Sequence, residues 1–311
     1  MLFKKLTALP LDDTFEVSLG DLEAAVIQEP ARECQYSETE HLGFDYVFEG
    51  SRLRVWPLEN ERVLYLRLTE HKRLLPASVV SDEVDKRCKE IEKQTGEKVK
   101  GKARREVKDD VKIELLKKAF QKTKSIQVIL NLADRELWID EATDGACQKV
   151  RKLFQKVIGN IPTTPLPSSD ILAHQMKDWL LDEDFVPAAV DVLDQAKLVD
   201  TSDRKATVTA KGEELHSKDF QALLDHRDVV ELRIAIDGAI SCQLTPAQTL
   251  KGIKSETPAE NQAQDDADGM SQWFDSEVYL TVAELREARR VIGGLAVGEP
   301  QGDVETTKEA S

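Results

Sequence analysis

The chain has 311 residues, enough to bury a substantial core in one large domain or two smaller ones. Its balance of 41% hydrophobic and 32% charged residues is that of a globular protein, and no apolar run approaches the ~18 residues of a membrane-spanning helix. A net charge of −15 argues against a nucleic-acid partner unless the charge is segregated.

The opening Met1-Leu2-Phe3-Lys4-Lys5-Leu6 lacks the apolar centre of a signal peptide, so a cytoplasmic protein is expected. Leu6, Ala8 and Leu11 suggest a first strand. Ser18 is placed to cap a helix running to Gln28, with Leu19, Leu22, Ala25 and Val26 on one side. Residues 52–56 and 62–68 read as strands around Pro57 and a polar turn, in an antiparallel sheet with one wet face. Pro76 opens a helix whose Val80, Val84, Cys88 and Ile91 recur at spacings of three and four. Gly96 and Gly101 interrupt it. Periodicity resumes at Val107, Val111, Leu115 and Leu116 and ends near Phe120, which predicts two helices joined by a loop carrying Lys98, Lys100, Lys102, Arg104 and Arg105. Strands follow at 126–130 and 136–140, then a helix over 144–158 closed by Gly159.

The proline-rich run 161–167 is an extended connector. Beyond it the pattern predicts helices near 169–181 and 186–195, strands at 205–209, 229–237 and 239–244, and an acidic aperiodic loop at 254–269. A strand near 277–281, a helix over 282–293 and a disordered tail at 296–311 complete it. The irregular alternation predicts an α+β fold of antiparallel sheets flanked by helices. It divides into an N-terminal domain (1–75 and 125–161), a basic helical insertion (76–124) and a C-terminal domain (162–295).

Cys34, Cys88, Cys147 and Cys242 lie far apart, as do the five histidines, so neither a disulfide framework nor a metal site is expected, and no cofactor is called for. The segment 96–103 imitates a phosphate-binding loop, but Ala103 stands where a hydroxyl would ligate magnesium, and a charged helix precedes it instead of a buried strand. The adjacent carboxylates Asp109 and Asp110 carry a metal-nuclease alternative weakly, since neighbouring acids among lysines are usually a solvated face. The chain reads as a non-enzyme.

Charge distribution gives the positive signal. Residues 86–124 hold 15 Lys and Arg against 7 Asp and Glu, a net of +8, which leaves −23 on the remainder. Such a segment fits backbone phosphates without reading bases, and equally a solvated helix face. The alternative is an interaction adaptor whose acidic surface is the working face, without direct DNA contact.

Several landmarks in order resemble the bacterial recombination-associated RdgC family. They are the opening Met1–Leu6, Leu75-Pro76-Ala77-Ser78-Val79-Val80, Val107-Lys108-Asp109-Asp110-Val111 with Leu115–Phe120, Gly159–Leu166, and Phe274-Asp275-Ser276-Glu277 with Thr281–Leu285. The resemblance implies sequence-nonspecific binding of double- and single-stranded DNA, nucleoid association, antagonism of RecA-driven exchange, and a homodimer closed as a ring around a basic hole. It implies DNA contacts at Lys98, Lys100, Lys118 and Lys211 and a dimer contact at Phe120. Composition adds Lys102, Arg104 and Arg105. Lys117 stands where the family often has proline, and Gly212 replaces a polar residue.

Overall fold

The computed structural model of the chain describes residues 1–164, 166–236, 239–255 and 267–297. Apolar alternation makes Lys5–Pro10 a strand (β1) with Leu6 and Ala8 buried. The Ser18 hydroxyl accepts the Asp21 backbone N–H at 3.1 Å and so caps a helix (α1, Leu19–Val26). Three strands follow: β2 (Glu40–Asp45), β3 (Val55–Leu58) and β4 (Val63–Arg73). The chain then leaves the sheet as two helices, α2 (Ala77–Thr95) and α3 (Gly101–Lys118). It returns as β5 (Gln121–Asn131), which pairs with β4 from Arg73↔Gln121 to Val63↔Asn131. The strand β6 (Glu136–Ile139) and the helix α4 (Asp144–Ile158) complete the first half.

The second half runs α5 (Ser169–Leu181), β7 (Val190–Asp200), β8 (Thr207–Lys211) and the short α6 (Lys218–Gln221). It ends with β9 (Arg227–Ile236), β10 (Ile240–Leu244), β11 (Leu250–Ser255) and the long α7 (Ala267–Val297). All ladders between these strands are antiparallel, and they join into one sheet ordered β2-β4-β5-β6-β1-β11-β10-β9-β7-β8, with β3 on β4. The strand β1 joins the halves: Lys5 and Leu6 pair with Lys251 and Leu250, while Thr7 to Pro10 pair with β6.

The first half of the sheet is buried on both faces, because successive strand residues point opposite ways. Val63, Tyr65, Ile129 and Trp138 join a large core that includes α5 and α7, whereas Leu64, Leu66, Val128 and Leu137 join a second core under α1 and α4. The wet face predicted for residues 62–68 is therefore covered, and α7 is what covers it. Gly43 on β2 passes so close to Pro30 that a Cβ would stand 2.5 Å from its carbonyl oxygen, so only glycine fits there.

Several predicted elements take another form. The helix expected at 186–195 is instead irregular and turn backbone over 186–189 and the start of β7 from Val190. Its apolar spacing looks helical because a bulge between Val192 and Ala196 breaks the alternation against β9. The strand expected at 277–281 lies inside α7, where Phe274, Val278, Val282 and Leu285 recur at helical spacing and are buried; tertiary packing overrides the β-branched composition. The loop expected at 254–269 overlaps β11 and α7 at its ends, and its middle, 256–266, lies outside the described residues. Of the predicted tail, Ala296 and Val297 are still helical and 298–311 lie outside the described residues. The four cysteines are buried and unpaired, as expected of small hydrophobes.

Candidate nucleic-acid interface

The two helices that leave the sheet between β4 and β5 form an antiparallel hairpin. Val80, Val84, Cys88 and Val111 make its own small core, with Leu75, Val99, Val107 and Leu115 packed at the margin. Gly96 ends α2 in the left-handed conformation (φ 75°), which suits glycine. The connection is shorter than the sequence suggested. Because α3 begins at Gly101 (φ 58°), Lys102, Arg104 and Arg105 stand on helix and not in the loop. Lys98 and Lys100 flank Val99, whose backbone N–H donates to Glu92 Oε1 at 2.9 Å. Val99 packs inward, and both lysines are exposed at the tip.

The base of the hairpin is held by Arg73. Its guanidinium donates to the carbonyls of Leu116 (2.7 Å), Ala119 (3.3 Å) and Cys34 (3.1 Å), so a strand cation satisfies the last carbonyls of α3. The Leu74 N–H donates to the Phe120 carbonyl at 2.8 Å. This fixes Phe120 at the neck with its ring 85% exposed, the most exposed large apolar side chain among the described residues. A bare phenylalanine beside the half-exposed Leu74 is an apolar patch that a partner surface would stabilise by covering.

Charge on the hairpin is less lopsided than in the window 86–124. The helices begin at Ala77, so Asp82, Glu83 and Asp85 count, while Lys122 and Lys124 fall on β5. Several cations are also committed. Arg104 pairs with Asp85 and Arg87 with Glu114, which staples α2 to α3. The Glu114 carboxyl is held below its usual range by its hydrogen bond from Arg87. Lys102 lies 3.9 Å from Glu106. Lys124 pairs with the buried Glu141, and burial, reinforced by the like charge of Lys5, pushes its ammonium below the usual lysine range. Lys98, Lys100, Arg105 and Lys118 form no ion pair with any described residue.

The surplus is concentrated on one side of α3. Arg105, Lys108 and Lys112 follow i, i+3, i+7 spacing and share a face, with Arg104 beside them. That face borders a groove of about 610 Å³, closed on its other sides by α2 and by Lys72 and Arg73 of β4. Among the described residues no carboxylate lines it. Lys72, Lys108 and Lys112 went unnoticed in the sequence, although the spacing on α3 would have shown two of them. Lys118 ends α3, so Lys98 and Lys118 are separated by the length of an 18-residue helix, about 27 Å. Lys211 is exposed at the end of β8, the terminal strand at the other end of the sheet order, and within one chain is not brought beside the hairpin. Gly212 follows it with φ 70°, its N–H donating to the Asp194 carbonyl at 2.9 Å.

The residues show a cationic hairpin, an exposed neck phenylalanine and, among the described residues, no cluster of three metal-ligating side chains. No helix of the described residues is long and apolar enough to cross a membrane. Residues 1–292 match the family described as "Putative exonuclease, RdgC". The chain belongs to the RdgC family. Relatives named "Recombination-associated protein RdgC" include one from Burkholderia cenocepacia, 30% identical over 251 residues and covering 80% of this chain and 81% of the relative. Another, from Pseudomonas putida strain GB-1, is 28% identical over 307 residues, 97% of this chain and all of the relative. A third, from Pasteurella multocida, is 25% identical and covers 92% and 94% of the two chains. Family membership assigns a recombination-associated role, with the RdgC landmarks spread over both halves of the sheet.

Proposed function

We propose that the chain binds double- and single-stranded DNA without sequence preference, encircles it as a homodimer, and modulates RecA-dependent recombination by occupying DNA that a recombinase filament would use. The observation that carries this reading is the α2–α3 hairpin, where Lys98, Lys100, Arg105 and Lys118 form no ion pair among the described residues, in a chain of net charge −15. Lysines and one arginine on a helix length suit backbone phosphates, which position a duplex without reading it. Lys102 and Arg104 are weaker contributors, since each has an acidic neighbour. Lys211 would join the same hole only if a second subunit closes the gap across the sheet. Association with the nucleoid follows from binding of this kind.

Phe120 supplies the seam in this reading. Its exposed ring at the neck is placed to contact a second copy, which would bury it and set two hairpins around one opening. An acidic exterior would repel DNA from the outer surface and favour the hole.

The action is by occupancy, not cleavage. The family description names an exonuclease, but Asp109 and Asp110 are successive residues on an exposed helix, about 100° apart around its axis, and so do not converge on one ion. Phe120→Ser tests the seam: sedimentation should show a shift from dimer to monomer, and retention on closed circular DNA should fall more than affinity for short linear duplex. An unchanged dimer would remove Phe120 from the interface.

A further inference from the structure

The groove between α2, α3 and the end of β4 has properties that backbone binding does not use. Its floor is aliphatic, formed by Leu75, Val80, Val84 and Leu116. Its rim carries Lys72, Lys108 and Lys112 together with Arg105. The remaining two cations, Arg73 and Arg104, are already engaged, with helix carbonyls and with Asp85. At about 610 Å³ the space is far too small for a duplex and falls in the size range of sites that take one or two anchoring side chains or a small ligand.

We infer that this groove is a docking site for an acidic peptide segment of a partner protein, with a bulky aliphatic or aromatic side chain on the floor and carboxylates on the rim. Charge complementarity selects the sign of the partner: four cations without an ion pair among the described residues surround the opening, and no carboxylate of those residues lines it. The floor selects a peptide over an unstacked nucleotide. Single-strand sites hold successive bases chiefly on aromatic rings. Among the described residues no aromatic side chain lines this groove, and two of its three arginines are already held, Arg73 by backbone carbonyls and Arg104 by Asp85. Aliphatic floors between two helices instead take apolar anchors of a peptide. The site is separable from DNA binding, since Lys72, Lys108 and Lys112 lie outside the proposed DNA contacts. Of the residues common to both, Arg104 is already paired with Asp85, and Arg105 is the one cation without an ion pair among the described residues.

The test uses the full chain and fluorescence anisotropy with three labelled probes: a short amphipathic peptide of Asp and Leu, its counterpart with Ser for Leu, and oligo-dT. The Asp/Leu peptide should bind at least about tenfold more tightly than the Asp/Ser peptide. Its affinity should fall on the order of tenfold in Lys108→Gln with Lys112→Gln. Ser81→Trp, which fills the groove from an exposed position on α2 without changing charge, should abolish peptide binding and leave oligo-dT binding intact. Circular dichroism of each variant establishes that the hairpin remains folded. Equal binding of the two peptides, or unchanged Asp/Leu affinity in Ser81→Trp, overturns the proposal. Loss of oligo-dT binding in Ser81→Trp also overturns it, and assigns the groove to a nucleotide. Failure of all DNA binding in the unmodified chain, with the peptide results as expected, would sink the DNA reading alone.

Discussion

Reversing Lys98, Lys100 and Lys118 together to glutamate should weaken binding to a short duplex by on the order of a hundredfold at low salt. These three are the lysines of the proposed contact set that lie on the hairpin and form no ion pair among the described residues. Each phosphate no longer engaged should also lower the salt slope by about one unit, so the variant must be flatter as well as weaker. A control with the same change in charge is Lys152, Lys205 and Lys218 to glutamate, three lysines away from the hairpin. If affinity follows net charge alone, the control and the hairpin variant fall equally, and the hairpin is not the interface. If neither variant changes DNA retention, the acidic surface is the working face and the adaptor reading stands.

Arg289→Met should destabilise the fold by about 3–5 kcal/mol, because it strands a buried carboxylate. Arg289 lies on α7 and is only 10% exposed, and it faces Glu136 of β6, 14% exposed, across 2.8 Å. The same guanidinium donates to Gln248 Oε1 at 3.0 Å, in the turn between β10 and β11, while the Trp138 indole N–H donates to Glu136 Oε2 at 2.6 Å. Three distant segments therefore meet at one ion pair. Replacing Glu136 by glutamine in the Arg289→Met background should recover much of the loss, since the stranded charge is then gone. Urea unfolding reads both outcomes: the midpoint should drop in the single variant with the slope unchanged, then rise again in the double. A single variant that unfolds at the unmodified midpoint would mean that water, not Arg289, satisfies Glu136.

Much of the first half of the fold was legible because its signals are local, although β2 at Glu40–Asp45 was not read and α1 ends at Val26 instead of Gln28. Ser18 caps α1, Gly159 closes α4, and the apolar spacing of α4 places that helix at about 144–158, as found. The second half was less legible because tertiary pairing decides it. The bulge in β7 hides its alternation from any reading of residues 186–195 alone. In α7, Val278, Tyr279 and Val282 would suit a strand, and helix prevails because that spacing lays one continuous stripe over the back of β4 and β6. The sharing of β1 between two halves also leaves no mark in sequence, since β6 and β11 are both remote from it.

At the candidate site, the sequence located the basic segment but not its organisation. It showed no sign that Arg104 reaches Asp85 or that Lys124 reaches Glu141, because those partners come from a neighbouring helix and from beyond β6. Arg73 could not be found as the clamp of α3, because the rule that cations suit helix C-termini looks for them in the last turn and this one comes from a strand. The groove was missed for the same reason: Leu75 and Val84 are unremarkable until α3 closes over them.

The most direct measurement is the affinity of the unmodified chain for several duplexes of unrelated sequence across a range of salt concentrations. Backbone binding through the hairpin predicts that log affinity falls linearly with log salt, with a slope of about −0.9 for each phosphate engaged and the same line for every sequence. A flat salt dependence, or lines that separate by sequence, would contradict it.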